Sequence, residues 1–287
     1  MQSLNHDTIT DAFVAYCEKT TSPRLKVVLS KLAAHLHAFA KDVRLTHEEW
    51  QTAMTLLDRA GQISSPERSE FILFSDVLGL TAMVDMINSG NGRTEYSNLG
   101  PFYVAGAQWL EIGGDLIGDN DGDPVVFYGH VLEAVSRKPV PGAVLELWQT
   151  ASNGLYSNQD PKQPAGNLRC RMKTAANGGY AFTTIRPAPY TVPEDGPVGE
   201  LLRATGRRPW RPAHFHCMIS AAGHRALTTE IFPDDDPFID EDPVFGVREQ
   251  LVVRLVSETD PSIIPYPLAA ANRLKRPFYR IQYDFLI

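Results

Sequence analysis

Arg211-Pro212-Ala213-His214-Phe215-His216 carries two imidazoles at an i, i+2 spacing. Pro212 restricts the residue before it to extended backbone, so the segment is expected to enter a strand. On a strand, residues i and i+2 project to one side. His214 and His216 could then chelate one metal, with Phe215 and Cys217 facing the other way. The spacing fits two half-buried polar histidines equally well. His35-Leu36-His37 is an internal control: in a helix, i and i+2 point about 200° apart and cannot share a metal. Tyr156 follows Asn153-Gly154-Leu155, and Tyr190 follows Pro187-Ala188-Pro189. Most tyrosines are packing residues with a wet hydroxyl. Taken together, however, Tyr156, Tyr190 after 33 intervening residues and His214-x-His216 after another 23 form a specific set.

The elements that must position these groups differ along the chain. Gly and Pro number 21 each, and residues 1–88 hold only four of them: Pro23, Gly61, Pro66 and Gly79. Because both residues are kept out of helices, the chain divides into a helical part, 1–92, and a turn-rich, strand-rich part, 93–287. Ser22-Pro23 caps a helix in which Leu25, Val28, Leu29, Leu32, Leu36 and Phe39 recur at three- and four-residue steps. Thr46-His47-Glu48-Glu49 reads as a capping box. Ser65-Pro66 is expected to start one long helix ending near Ser89-Gly90-Asn91-Gly92, apolar on more than one face and so buried in a core or a dimer interface. Seven strand candidates follow, from Val125–Glu133 to Tyr279–Phe285, punctuated by turns such as Pro141-Gly142 and Asn177-Gly178-Gly179. They predict a mainly β fold, an antiparallel sandwich. Residues 185–212 read as a long Pro-rich loop.

Composition narrows the partners. The 287 residues carry 27 Lys+Arg against 34 Asp+Glu, a net charge of −7 with no basic run, which argues against nucleic acid. No apolar stretch reaches the ~20 residues of a membrane span. The opening MQSLNHDTITD lacks a basic-then-apolar leader, and Cys17, Cys170 and Cys217 show no paired spacing, so a cytoplasmic location is expected.

The motifs as a set resemble the intradiol ring-cleavage dioxygenases, in the catechol and hydroxyquinol 1,2-dioxygenase branch. The resemblance runs through Leu99-Gly100-Pro101-Phe102-Tyr103, Pro141-Gly142-Ala143, Leu147-Trp148-Gln149, Tyr190-x-x-Pro193-x-Asp195-Gly196-Pro197 and Arg211 to His216. It implies a β-sandwich catalytic core with an N-terminal helical linker that forms a homodimer, with a lipid at that interface in related members. It also implies one Fe(III) per subunit, held by Tyr156, Tyr190, His214 and His216. The chemistry agrees: ferric iron is hard, and two tyrosinates with one hydroxide balance its charge beside two neutral imidazoles. The implied reaction inserts both atoms of O2 into a catechol-type ring and opens it between the hydroxylated carbons. In it Tyr190 accepts a substrate proton and Arg211 stabilises anionic character at the ring. Where the family shows Thr-Thr-Gln this chain has Thr228-Thr229-Glu230, and a Glu there is expected to pair with Arg211 and alter the pH dependence.

By the same resemblance the substrate pocket is lined by Leu73, Asp76, Val77, Leu99, Gly100, Pro101, Phe102, Val192, Pro193 and Val244. Leu73 and Asp76 are i, i+3 on one helix face. Catechol-preferring members typically carry Pro at the position of Asp76. A carboxylate in an apolar pocket needs a partner, and the third hydroxyl of hydroxyquinol (benzene-1,2,4-triol) supplies a donor. The expected activity is therefore hydroxyquinol 1,2-dioxygenase, giving 3-hydroxy-cis,cis-muconate (maleylacetate), with catechol or a chlorocatechol as the alternative substrate. Two further readings are a cupin-like site of His214, His216 and Glu230, which leaves the tyrosines without roles, and a non-enzymatic binding sandwich.

Overall fold

A computed structural model describes residues 4–65, 68–90, 92–275 and 277–287. The chain forms two compact units, Met1–Asp58 and Arg59–Ile287. The described residues contain six α-helices and thirteen strands, so the fold is mixed helix and sheet. The first unit holds α1 (Ile9–Cys17), α2 (Pro23–Asp42) and the start of α3 (His47–Ile63). Helix α2 begins where the sequence predicts: Ser22 Oγ accepts the Leu25 N–H at 3.3 Å and Pro23 occupies the first turn. The capping box forms in both directions. Thr46 Oγ1 accepts from Glu49 N at 3.2 Å, and Glu49 Oε2 accepts from Thr46 N at 2.9 Å.

The single long helix expected from Ser65-Pro66 is instead two, α4 (Glu70–Val77) and α5 (Leu80–Asn88). Pro66 and Asn91 lie outside the described residues. Ser69, not Ser65, caps α4, its Oγ accepting from Ile72 N at 3.2 Å. Gly79, at φ +74°, ends the first helix and turns the chain into the second. A left-handed residue cannot continue an α-helix, and glycine adopts that conformation at little cost. The turn leaves α4 free to pack Leu73, Phe74 and Val77 against Val192, Val198, Leu202 and Val244.

The strands are β1 (Gly114–Asp115), β2 (Pro124–Leu132), β3 (Val144–Gln149), β4 (Arg169–Lys173), β5 (Gly179–Ile185), β6 (Tyr190–Thr191), β7 (Trp210–Arg211), β8 (Phe215–Ser220), β9 (Leu227–Pro233), β10 (Val252–Val253), β11 (Val256–Glu258), β12 (Phe278–Gln282) and β13 (Phe285–Leu286). One sheet runs β1-β5-β2-β12-β11, with β13 also on β2; a second runs β10-β9-β8-β3-β4; β6 and β7 form a separate ribbon. The two large sheets share one core. Phe127 of β2 meets Phe215 of β8 at 5.3 Å between ring centroids, and Leu145, Leu147, Cys217 and Ile219 join the same buried cluster. The expectation of a purely antiparallel sandwich is corrected, because β1/β5, β2/β12, β2/β13 and β9/β10 pair in parallel. Strand β12 runs antiparallel beside β11, which leaves it parallel to β2 on its other side. The 185–212 segment is not structureless either: it contains β6, α6 (Pro197–Ala204) and β7. Helix α6 is anchored through Glu70, which is fully buried and whose Oε1 accepts the Val198 N–H at 3.0 Å.

Candidate metal centre and substrate pocket

Side-chain alternation sends Leu147 and Cys217 into the shared core and Trp148 and His216 to the opposite face of the second sheet. Register then aligns one row across four strands. Glu230 of β9 lies opposite His216 of β8, His216 opposite Trp148 of β3, and Trp148 opposite Arg169 of β4. Trp148 stacks flat on His216, with centroids 4.7 Å apart and planes at 6°. His214 sits just before β8 rather than in it. The β6/β7 ribbon pairs Tyr190 directly with Arg211, and Tyr156 projects from the loop after β3.

These elements bring Tyr156, Tyr190, His214, His216, Arg211 and Glu230 together, all buried. The two imidazole Nε2 atoms are 3.1 Å apart, and the Tyr156 hydroxyl lies 3.0 Å from that of His216 and 3.4 Å from that of His214. The Tyr156 and Tyr190 rings meet edge to face at 5.5 Å. His214 Nδ1 is 2.7 Å from the Pro212 carbonyl, which can only accept, so the proton is on Nδ1 and Nε2 presents its lone pair. His216 Nδ1 is buried with no hydrogen-bond partner, its nearest carboxylate oxygen, Glu230 Oε1, standing 3.6 Å away. Neither tautomer of His216 satisfies both of its nitrogens, whereas a cation among the two Nε2 atoms and the phenol oxygen would satisfy the whole group.

Electrostatics favour the same conclusion. Burial and then the Arg211 charge lower the His214 pKa; burial and then His214 lower that of His216 further. Both imidazoles are held neutral, the form that ligates metals. Burial, then the neighbouring Tyr190, pushes the Tyr156 phenol well above its ordinary value. Such a phenol ionises only against a strong Lewis acid. The donor set therefore fits a metal.

Glu230 joins His214 and His216 in the one such cluster of His, Cys, Asp and Glu found among the described residues, its ligand atom within 4.8 Å of theirs. Its oxygens are already committed. Arg211 donates to Oε1 at 2.8 Å and to Oε2 at 3.2 Å, and Ser97 Oγ donates to Oε2 at 2.5 Å. Burial raises the Glu230 pKa, but Arg211, then His214 and His216, outweigh it and hold the carboxyl below the usual range. Arg211 makes a second fork to Asp242, through Nε and Nη2 at 3.1 Å each, and its Nη1 lies 3.4 Å from the Tyr190 hydroxyl. Gly246 completes this packing: a Cβ there would come within 2.8 Å of Arg211, Asp242 and Glu230 at once.

Above the centre, Phe102 stacks on Tyr156 at 4.7 Å and meets Tyr190 edge-on at 6.0 Å. Gly100, at φ +69°, brings its backbone against His216, where a Cβ would stand 3.3 Å from Cε1. Leu73, Val77, Val192 and Val244 form one apolar cluster. Phe102, Tyr190, Val192 and Pro193 line a cleft of about 400 Å³. Leu99 and Pro101 are more exposed. Asp76, on α4, is partly buried, and its Oδ1 has no hydrogen-bond partner. Sequence reasoning missed Asp242, Ser97, Gly246 and Arg169. Asp242 is one of several acids in the loop after β9 and Arg169 one of many basic residues, and only the fold brings them to the centre.

Glu230→Gln gives a checkable consequence. Burial raises the Tyr190 pKa, Arg211 opposes it and Glu230 adds to the rise; Glu230 also favours protonation of both imidazoles. Removing its charge lowers all three, so the acid limb of the kcat/KM profile should move to lower pH while metal content stays the same. A profile that does not move contradicts that role.

Known proteins resemble this chain in sequence and fold. The family profile described as "Dioxygenase" matches residues 99–285, and "Catechol dioxygenase N terminus" matches residues 22–94. The 6-chlorohydroxyquinol 1,2-dioxygenase of Cupriavidus pinatubonensis is 39% identical, over 100% of this chain and 99% of that protein. The crystal structure of a hydroxyquinol 1,2-dioxygenase from Pseudomonas putida DLL-E4 superposes with TM-score 0.89 at 40% identity, covering 98% of this chain and 97% of that one. The catechol 1,2-dioxygenase of Acinetobacter sp. ADP1 gives 0.77 at 31% identity, covering 100% of this chain and 94% of that one. The chain belongs to the intradiol ring-cleavage dioxygenases, metal-dependent enzymes that open aromatic diols with O2.

Proposed function

We propose that this enzyme is a hydroxyquinol 1,2-dioxygenase that uses ferric iron, held by Tyr156, Tyr190, His214 and His216, to convert hydroxyquinol and O2 into 3-hydroxy-cis,cis-muconate. The observation that carries the substrate assignment is Asp76 on α4, whose Oδ1 is buried without a hydrogen-bond partner. A catechol offers that oxygen nothing, whereas a third ring hydroxyl donates to it, and a site built around a hydrogen-bonding group rejects analogues that lack it. Relatives named for hydroxyquinol and 6-chlorohydroxyquinol support the same choice.

Ferric iron, when bound, supplies the Lewis acidity that ionises the substrate's adjacent hydroxyls and leaves the ring electron-rich toward O2. The protein's residues do the rest. Tyr190 Oη, beside Arg211 Nη1, is placed to accept a substrate proton. Arg211, locked between Glu230 and Asp242, presents a fixed positive charge to the anion that develops on the ring, a contribution of roughly 10²–10³ in rate. Val77, Val192, Val244 and Phe102 exclude water and hold the ring plane.

Oxygen uptake with hydroxyquinol, catechol and 4-chlorocatechol side by side tests the assignment. Hydroxyquinol should have the highest kcat/KM; a higher value for catechol or the chlorocatechol would favour that substrate instead. Asp76→Asn gives a second test. Burial raises the Asp76 pKa above its ordinary 3.8, so folding favours the protonated carboxyl and the ionised one costs stability at neutral pH. Asp76→Asn should stabilise the protein by on the order of 1 kcal/mol at pH 7, a gain that disappears as pH falls below the carboxylate range. It should also narrow the preference for hydroxyquinol over catechol. An equal or larger stability gain at pH 3 would contradict the first effect, and an unchanged kcat/KM ratio the second.

The same reading makes the enzyme a cytoplasmic homodimer. On α2, Leu25, Val28, Leu32, Leu36 and Phe39, with Val43 just past its end, form an apolar row, each between 41% and 56% exposed, the kind of stripe a second copy or a lipid chain covers. The free, buried Cys17, Cys170 and Cys217 suit a reducing compartment, and no helix among the described residues is long and apolar enough to cross a membrane.

A further inference from the structure

Arg169 is a buried cation that the steps above leave unused. It opens β4, is 3% exposed, and its hydrogen-bond partners among the described residues are neutral: Nε donates to Ser157 Oγ at 2.8 Å and Nη2 to Asn158 Oδ1 at 2.9 Å. Its Nη1 is buried with no hydrogen-bond partner among the described residues. Among the described residues no carboxylate forms an ion pair with it. Burying a guanidinium without a counter-charge costs several kcal/mol, so the site is expected to supply an anion in the enzyme's working state. The guanidinium carbon lies over the Tyr156 ring, 5.8 Å from its centroid. Against a neutral phenol that is a modest cation–π contact. Against a phenolate, whose charge spreads into the ring, it becomes the missing ion pair.

We propose that Arg169 is a positioning residue for the metal ligand Tyr156, its fixed charge over the ring drawing electron density from the phenolate and so tuning the metal that Tyr156 holds. This rests on the ferric reading of the site. A positive charge beside the electron donor lowers the donor orbital, so the tyrosinate-to-iron charge-transfer band lies at shorter wavelength than it would without Arg169. The same charge favours the reduced metal, so it raises the ferric/ferrous potential.

The test uses the iron-loaded enzyme without substrate and reads the visible band and the potential. In Arg169→Ala the band should move to longer wavelength and the potential should fall. Arg169 borders a cavity of about 630 Å³ lined also by Ser157, Asn158 and Asn167, so a small ion can enter the space the side chain leaves. Guanidinium should return both readings toward native values, whereas urea, the same shape without the charge, should not. Arg169→Lys should stay closer to the native band. An unmoved band in Arg169→Ala at native iron content overturns the proposal, as does equal rescue by urea. If Arg169→Ala does not fold, Arg169→Lys decides. A folded, iron-loaded lysine variant with a near-native band supports a role for charge; a lysine variant that also fails shows that shape is what matters, and overturns it. Failure of the ferric reading is distinguishable, because the native protein would then lack both iron and band before any substitution.

Discussion

Tyr156→Phe should lower kcat/KM by at least about 10²-fold and weaken and shift the protein's visible band, leaving only the Tyr190 contribution, while the metal-free protein keeps its stability. The lower bound is the loss seen when even the outer partners of metal ligands are altered, and Tyr156 is proposed as a direct ligand. The stability half follows from the geometry. The Tyr156 ring is fully buried between Phe102 and Tyr190, and phenylalanine keeps that packing. In the absence of metal the lost hydroxyl lies 3.0 and 3.4 Å from the two imidazoles and also meets the Tyr190 hydroxyl, all of them neutral groups. Removing it frees His216 Nε2 to interact with His214 alone, so little folding energy is lost. Thermal unfolding of the metal-free variant, metal content and steady-state rates separate these effects. A variant with native colour and rate would remove Tyr156 from the ligand set; one destabilised without metal would show that it is a packing residue.

Arg211→Met should be damaging twice over. Activity should fall by roughly 10²–10³-fold as the fixed charge is lost. Stability should fall by about 3–5 kcal/mol, because Glu230 and Asp242, both forked onto Arg211, remain buried without a cation. The pH dependence identifies the cause. In the native protein the folded-state pKa of Glu230 lies below its ordinary 4.5, so its contribution is fully present above pH 4.5 and is lost as pH falls through the lower folded value. Without Arg211, burial raises the Glu230 pKa with only the weaker influence of His214 and His216 against it, and the deficit should shrink as acid protonates that carboxyl. The stability difference between native and Arg211→Met should therefore be largest at pH 7, smaller at pH 4 and smaller again as pH falls further toward the native folded value. Arg211→Lys should recover part of the stability and little of the rate, since one ammonium cannot make two forks. A deficit independent of pH would assign the loss to packing.

The parts of this site legible in the sequence were those set by local backbone rules. Pro212 announced the extended entry, the i, i+2 spacing put His214 and His216 on one side, and the tyrosines sat in recognisable short motifs. What the sequence alone did not show depends on long-range register. The row Glu230–His216–Trp148–Arg169 draws one residue from each of four strands, and no local pattern marks Trp148 or Arg169 as members. Asp242 reaches Arg211 across 31 residues of chain. The helices show the same limit. Apolar periodicity over 70–88 ran through Gly79, and only its left-handed conformation revealed two helices in place of one. Within 185–212, prolines disguised α6, although Pro197 sits in its first turn, where proline is well tolerated. Parallel pairing of β12 and β13 with β2 likewise follows from where the chain returns, not from its alternation.

The central claim is most directly tested by ring opening of hydroxyquinol under ¹⁸O2 with mass analysis of the product. The account predicts 3-hydroxy-cis,cis-muconate with one labelled oxygen in each new carboxylate before exchange with water. A product cleaved outside the two adjacent hydroxyls, or one without label, would contradict it.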